Sequence, residues 1–205
     1  MAKPWLRGSM RSNLAVLAPV PEASGEQRPP DLSLVVPAYN EEESLPALYE
    51  RIAETLGERL EWELIIVDDG SRDRTAERVT ALAKKDARVR GAALVRNSGQ
   101  TTATRVGIEM ARAPLIATLD ADLQNDPADL PAMMEMMRER SDAHAIVGYR
   151  VVRHDNLVRR LSSRIGNGVR NRLSGDDIRD TGCSLKVFRA APSSTPCSTL
   201  TARCR

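Results

Sequence analysis

The sequence predicts a single α/β domain with a mostly parallel central sheet flanked by helices. Three observations carry this. Between residues 31 and 148, short apolar runs alternate with segments of helical periodicity, the pattern of strand–helix–strand units. The runs are apolar almost throughout rather than alternating, as expected of strands covered on both faces. Four of them end in polar turns rich in Asp and Asn, so chemistry-bearing side chains collect at one sheet edge, where open parallel sheets bind ligands.

Each element follows from local pattern. Residues 1–30 carry Pro4, Pro19, Pro21, Pro29 and Pro30 without sustained periodicity and read as a disordered leader. Lys3, Arg7 and Arg11 before a short apolar run only loosely imitate a signal peptide, because Pro19 interrupts the run. Residues 32–36 read as a strand stopped by Pro37. Asn40, Glu41, Glu42 and Glu43 then read as a helix cap with an acidic first turn, followed by Leu45, Leu48, Ile52 and Leu56 at helical spacing. Residues 63–67 are a strand, and 74–85 a helix with Ala76, Val79 and Leu82 inside. Residues 91–95 are a strand, 101–112 a helix, and 115–119 a strand. Residues 127–140 form a helix carrying Leu130, Met133, Met134 and Met137, and 143–148 a fifth strand. A further helix is expected at 156–173, where Leu157, Leu161, Ile165, Val169 and Leu173 recur every four residues among several arginines. The folded domain is thus bounded at 31–189. Residues 190–205 lose periodicity, gain Cys197 and Cys204, and read as a frameshifted or truncated tail.

Composition narrows the function classes. With 205 residues the chain holds about one domain. A net charge of +2 and 3% aromatic residues argue against a phosphate-tracking or base-stacking nucleic-acid binder. Three cysteines exclude a disulfide framework, no Cys or His pair has zinc-site spacing, and no apolar stretch is long enough to span a bilayer.

The turns after the strands hold the candidate chemistry. They are Pro37-Ala38-Tyr39-Asn40-Glu41, Asp68-Asp69-Gly70-Ser71, Arg96-Asn97-Ser98-Gly99-Gln100 and Asp120-Ala121-Asp122-Leu123-Gln124. Asp120 and Asp122, two apart on leaving a strand, can point to one side and offer the hard oxygens that suit Mg²⁺ or Mn²⁺, with water and a substrate phosphate completing the shell. Taken singly each motif has an ordinary alternative. An Asp-x-Asp followed by Asp126 and Pro127 also suits a turn or helix cap, Asp-Gly-Ser is common turn chemistry, and Gly99 can be a cap.

As an ordered set, the four motifs resemble the family 2 inverting glycosyltransferases, over about residues 31–189. Within that family, the Leu123-Gln124 pair after Asp-x-Asp resembles the polyprenyl-phosphate branch, which includes dolichyl-phosphate mannose synthases and undecaprenyl-phosphate glycosyltransferases. So do Gly148-Tyr149-Arg150, the 158–164 segment and the 180–186 segment. The resemblance implies a GT-A-like, Rossmann-related domain, C-terminally incomplete, that binds a nucleotide-sugar donor. It implies that Pro37, Ala38, Tyr39, Asn40 and Glu41 line the nucleoside pocket, with Gly99 and Gln100 on the same donor side. Asp68 or Asp69 would meet the base and ribose. Asp120, Asp122 and Gln124 would hold Mg²⁺ or Mn²⁺ on the donor diphosphate. Arg150, Arg159 and Ser163 would receive the acceptor phosphate, with Arg153 the alternative to Arg150, whose spacing from Arg159 is shorter than in some mannose synthases. Asp180 stays open between orienting an acceptor-side arginine, acting as a base and a simple turn role.

The implied reaction moves a sugar to a polyprenyl phosphate at the cytoplasmic face of a membrane. Such a nucleophile is already ionised near neutral pH and needs cations rather than a base. The charge distribution agrees. Residues 31–149 sum to −8 and residues 150–189 to +6, so basic charge lies downstream of the Asp-x-Asp. Competing readings are a family 2 transferase with a sugar-hydroxyl acceptor, which typically carries Gln-x-x-Arg-Trp, absent here, and a truncated, inactive donor-binding remnant. A nicotinamide dehydrogenase is disfavoured because no Gly-x-Gly-x-x-Gly follows the first strand.

Overall fold

A computed structural model describes residues 14–16, 29–57, 60–148 and 184–190. The expectations for Arg150, Arg153, Arg159, Ser163, Asp180 and the 156–173 helix lie outside these residues. In chain order the elements are β1 (Leu14–Val16), β2 (Leu32–Ala38), α1 (Ser44–Leu56), β3 (Trp62–Asp68), α2 (Thr75–Lys85), β4 (Val89–Leu94), α3 (Gln100–Met110), β5 (Leu115–Thr118), α4 (Leu130–Glu139), β6 (Ala145–Val147) and β7 (Lys186–Arg189). A single 3-10 turn, Pro127–Asp129, leads into α4.

One seven-stranded sheet runs in the order β1-β4-β3-β2-β5-β7-β6. The four central strands are parallel, with Leu34 opposite Leu64 on one side and opposite Ala117 on the other. This is the predicted mostly parallel α/β sheet. The near-continuous apolar strands are buried along their whole length, as in β2 and β3. Leu32, Leu34, Val36, Leu64 and Ile66 face the helices α1, α2 and α4 in one core cluster. Val35, Ile65, Val67 and Ile116 face α3 in another. The apolar stripes read from the sequence are the buried faces: Leu45, Leu48, Ile52 and Leu56 on α1, and Leu130, Met133, Met134 and Met137 on α4. Gly107 lets α3 lie close on β2, since a Cβ there would fall 2.3 Å from Val35 Cγ1.

Two expectations are corrected, and one strand was not foreseen. Leu14–Val16, inside the segment read as a disordered leader, forms β1 and pairs antiparallel with β4. Lys186–Arg189, not foreseen as a strand, forms β7 and inserts antiparallel between β5 and β6. The fifth predicted strand is therefore not the neighbour of the fourth. The helix foreseen from Asn40 starts only at Ser44, with no acidic residue in its first turn. Asn40 instead takes a left-handed conformation, φ 56°; Glu41 accepts from the Ser44 hydroxyl within the turn and Glu42 pairs with Arg74 of the next one.

At the edge opposite the polar turns, a buried ionic cluster pins the sheet to the α3–β5 connection. Glu63 is 1% exposed. It accepts from Ser33 Oγ at 2.6 Å, the Arg112 backbone N–H at 2.8 Å, Arg112 Nε at 2.9 Å and Arg90 at 3.0 Å. Burial alone would raise its pKa. The bonds from Ser33, the Arg112 N–H and Arg90 outweigh burial and hold the carboxyl below the usual glutamate range. Because the folded value lies below the unfolded one, this stabilisation is complete above about pH 4.3 and is lost as the pH falls through the folded value. Glu63→Gln is expected to cost about 3–5 kcal/mol at pH 7, since it leaves Arg90 buried without its counter-charge. It should also flatten the acid limb of the stability profile. Urea midpoints at neutral and acid pH check both, and an unchanged acid limb would contradict this role for Glu63.

Candidate active site

The strand order reverses direction at β2, which has β3 on one side and β5 on the other. In open α/β sheets the crevice at such a switch point, beyond the carboxyl ends of the strands, is where ligands sit. An open cleft of about 500 Å³ lies there, lined among others by Pro37, Gln100, Leu119, Asp120, Ser184 and Lys186.

The turns after β2 and β3 are laced together. The Asn40 N–H donates to Ser71 Oγ at 2.9 Å, and Asn40 Oδ1 accepts from the Arg72 N–H at 2.9 Å. The Glu41 N–H donates to Thr75 Oγ1 at 2.8 Å, and Arg74 pairs with Glu42 at 3.0 Å. Pro37 and Ala38 end β2 in register with Val67 and Asp68. Tyr39 is left 40% exposed beside them, an aromatic side chain partly open to the solvent.

Asp68 and Asp69 are both 3% exposed, and the structure separates their roles. Asp69 Oδ1 accepts the Ser98 N–H at 2.8 Å and Oδ2 the Gly99 N–H at 2.9 Å. Both its oxygens are spent on the turn after β4, so Asp69 anchors that turn. Asp68 uses only Oδ1, accepting from the Ser71 N–H and hydroxyl. Its Oδ2 has no partner among the described residues and is the oxygen left for a ligand. Gly70 follows with φ 70°, and a Cβ there would lie 2.5 Å from the Arg96 carbonyl carbon. The two turns touch backbone to backbone.

Gly99 precedes α3 with φ 90° and its carbonyl accepts from the Thr102 and Ala103 N–H groups, the cap role read for it. Gln100, which carries no signal by itself in the sequence, reaches across to Asp120, Nε2 to Oδ1 at 2.5 Å. Asp122 is exposed and accepts the Gln124 N–H on Oδ1 at 3.0 Å. The helix-capping alternative for this motif falls to Asp126, whose carboxylate accepts the Ala128 N–H and pairs with Arg51. Asp120 and Asp122 each keep a second oxygen without a partner among the described residues. Two hard oxygen donors from one turn fit Mg²⁺ or Mn²⁺, which typically takes one or two carboxylates and completes its shell with water and substrate phosphate.

The far wall of the cleft was not foreseen. The Thr118 hydroxyl donates to the Ser184 carbonyl at 2.9 Å, and Asn125 Nδ2 donates to Ser184 Oγ at 2.7 Å. These bonds tie the end of β5 and the following loop to the entry of β7. Lys186, in register with Thr118, brings a cation to the cleft lining. Its motif was visible in the sequence, but its place depends on the β5–β7 pairing. Among the described residues no helix is long and apolar enough to cross a membrane.

The profile of "Glycosyl transferase family 2" matches residues 33–194. The chain belongs to glycosyl transferase family 2. A dodecaprenyl-phosphate galacturonate synthase of Rhizobium johnstonii is 44% identical over 164 residues, covering 78% of this chain and 48% of the relative. An undecaprenyl-phosphate 4-deoxy-4-formamido-L-arabinose transferase of Pectobacterium atrosepticum is 40% identical over 161 residues, covering 78% and 49%. Both relatives are named for a polyprenyl-phosphate substrate. The chain spans about half the length of the curated relatives it matches. Among solved structures, glucosyl-3-phosphoglycerate synthase of Mycobacterium tuberculosis in complex with UDP superposes with a TM-score of 0.60 at 20% identity, covering 78% of this chain and 57% of that one. A mannosyltransferase of Pyrobaculum calidifontis in complex with GDP-Man and Mn²⁺ gives 0.56 at 20%, covering 84% and 48%. These two share the fold of the family 2 domain described above.

Proposed function

We propose that this family 2 domain moves a sugar from a nucleotide-sugar donor to a polyprenyl phosphate at the cytoplasmic face of a membrane. The observation that carries the proposal is the alignment of relatives named for polyprenyl-phosphate acceptors across a sheet whose switch-point cleft is lined by Asp120, the first carboxylate of the Asp120–Asp122 turn. The Pro37–Glu41 turn and Asp68 Oδ2, without a partner among the described residues, would receive the nucleoside. The exposed Tyr39 ring offers a face to the base. Asp120, Asp122 and Gln124 would hold Mg²⁺ or Mn²⁺ against the donor diphosphate, the class of ion in the Pyrobaculum complex. A divalent ion there would stabilise the negative charge that builds on the departing diphosphate.

The acceptor side rests on the resemblance at Arg150, Arg159 and Ser163 and on the +6 charge of residues 150–189. The phosphate oxygen attacks the anomeric carbon from the face opposite the leaving diphosphate, so the configuration inverts. That oxygen is already ionised, so no general base is required. Arginine forks would orient it and offset repulsion between two anionic reactants.

A donor screen tests the proposal. UDP-linked uronic acids, UDP-linked aminopentoses and GDP- and UDP-hexoses are each supplied with polyprenyl phosphate and Mn²⁺ or Mg²⁺, and glycolipid is read out. One donor class should yield a glycosyl phospholipid that disappears on chelation of the metal. Donor turnover that yields only free sugar and nucleotide would contradict the acceptor assignment.

A further inference from the structure

We propose that Gln100 is a positioning residue that sets the orientation of the Asp120 carboxylate for cation binding; this rests on reading Asp120 and Asp122 as metal ligands. Gln100 opens α3 and its Nε2 donates to Asp120 Oδ1 at 2.5 Å. An ionised carboxylate can only accept, so the nitrogen end of the amide faces it.

The amide is held from behind. The two oxygens of buried Asp69 grip the Ser98 and Gly99 N–H groups, fixing the turn that launches the helix. The Gly99 carbonyl closes the first helical bonds. Farther along α3, Gly107 packs the helix against Val35 of β2, two strand positions before Pro37 in the cleft lining. Gln100 therefore starts from a backbone fixed at the turn and along the helix, and its side chain spans from the donor-side turn to the Asp-x-Asp turn.

The consequence is local order in two carboxylates, Asp120 half-buried and Asp122 exposed. Gln100 occupies Asp120 Oδ1, and the Gln124 N–H occupies Asp122 Oδ1. Among the described residues each carboxylate keeps one oxygen without a partner, and each is restrained in rotation by the bond to its other oxygen. Partners that orient a ligand in this way typically contribute about 10–100-fold to metal affinity. Gln100 is itself exposed, so losing its amide strands no buried group and leaves folding stability nearly unchanged.

The experiment measures Mn²⁺ alone by electron paramagnetic resonance, with melting midpoints, on the wild-type chain, Gln100→Leu and Asp122→Asn. Leucine keeps the bulk and removes the donor. Gln100→Leu should bind Mn²⁺ about tenfold more weakly with an unchanged melting midpoint, and Asp122→Asn should lose the site. Wild-type affinity in Gln100→Leu, beside loss in Asp122→Asn, overturns the role of Gln100 and leaves the metal assignment standing. A drop in melting midpoint that accounts for the weaker binding marks Gln100 as merely structural and also overturns it. If wild type holds no Mn²⁺, or Asp122→Asn holds it equally well, the metal assignment fails and this inference fails with it.

Discussion

Asp122→Asn is expected to lower the rate of sugar transfer by at least about a hundredfold with little change in stability. Asp122 is exposed, and its one bond among the described residues is to the Gln124 N–H. Asparagine can still accept that bond through Oδ1, so the turn keeps its shape. What disappears is the anionic oxygen that would face the cation. Lewis-acid stabilisation of a departing group is worth several kcal/mol, and each tenfold in rate is about 1.4 kcal/mol. Initial rates at saturating donor, lipid phosphate and Mn²⁺, set beside a urea midpoint, check this. Metal-dependent turnover at the wild-type rate would remove Asp122 from the metal site.

Gly70→Ala is expected to damage both fold and donor binding. The residue sits at φ 70°, and its added Cβ would meet the Arg96 carbonyl carbon at 2.5 Å and the Asn97 nitrogen at 2.6 Å. These are backbone atoms, which cannot swing aside as a side-chain tip can. The left-handed conformation costs about 1–2 kcal/mol for a residue with a Cβ, and overpacking about 1–3 more. The total is roughly 2–5 kcal/mol, read as a lower urea midpoint. The displaced segment is the one that Asp69 holds through Ser98 and Gly99. The variant should therefore also bind nucleotide more weakly than its stability loss alone explains. A midpoint equal to wild type would mean that the two turns do not press together as described.

Different features were legible in the sequence for different physical reasons. The four central strands were readable because burial on both faces leaves a continuous apolar run that needs no partner to be recognised. The stripes of α1 and α4 were readable because 3.6-residue periodicity is local. β1 and β7 were not. Three residues, Leu14–Val16, acquire strand identity only by pairing with Val89–Leu94, and Lys186–Arg189 only by slipping between β5 and β6. Nonlocal pairing leaves little trace in so short a segment.

The site divides the same way. Asp120 and Asp122 could be singled out because the end of a parallel strand is a predictable location. The acidic run after Asn40 was misread as the first turn of a helix because capping residues and turn residues are the same amino acids. Asp68 and Asp69 are indistinguishable in sequence. Their difference arises from the approach of Ser98 and Gly99 some 30 residues away. Gln100 carries meaning only once its amide is seen against Asp120.

The most direct test of the central claim offers this protein the same prenyl chain as a phosphate and as a free alcohol, with the preferred donor and Mn²⁺. Glycolipid should form from the phosphate alone, with the anomeric configuration of the sugar inverted, because the acceptor must arrive already ionised. Comparable transfer to the alcohol, or retention of configuration, would contradict the account.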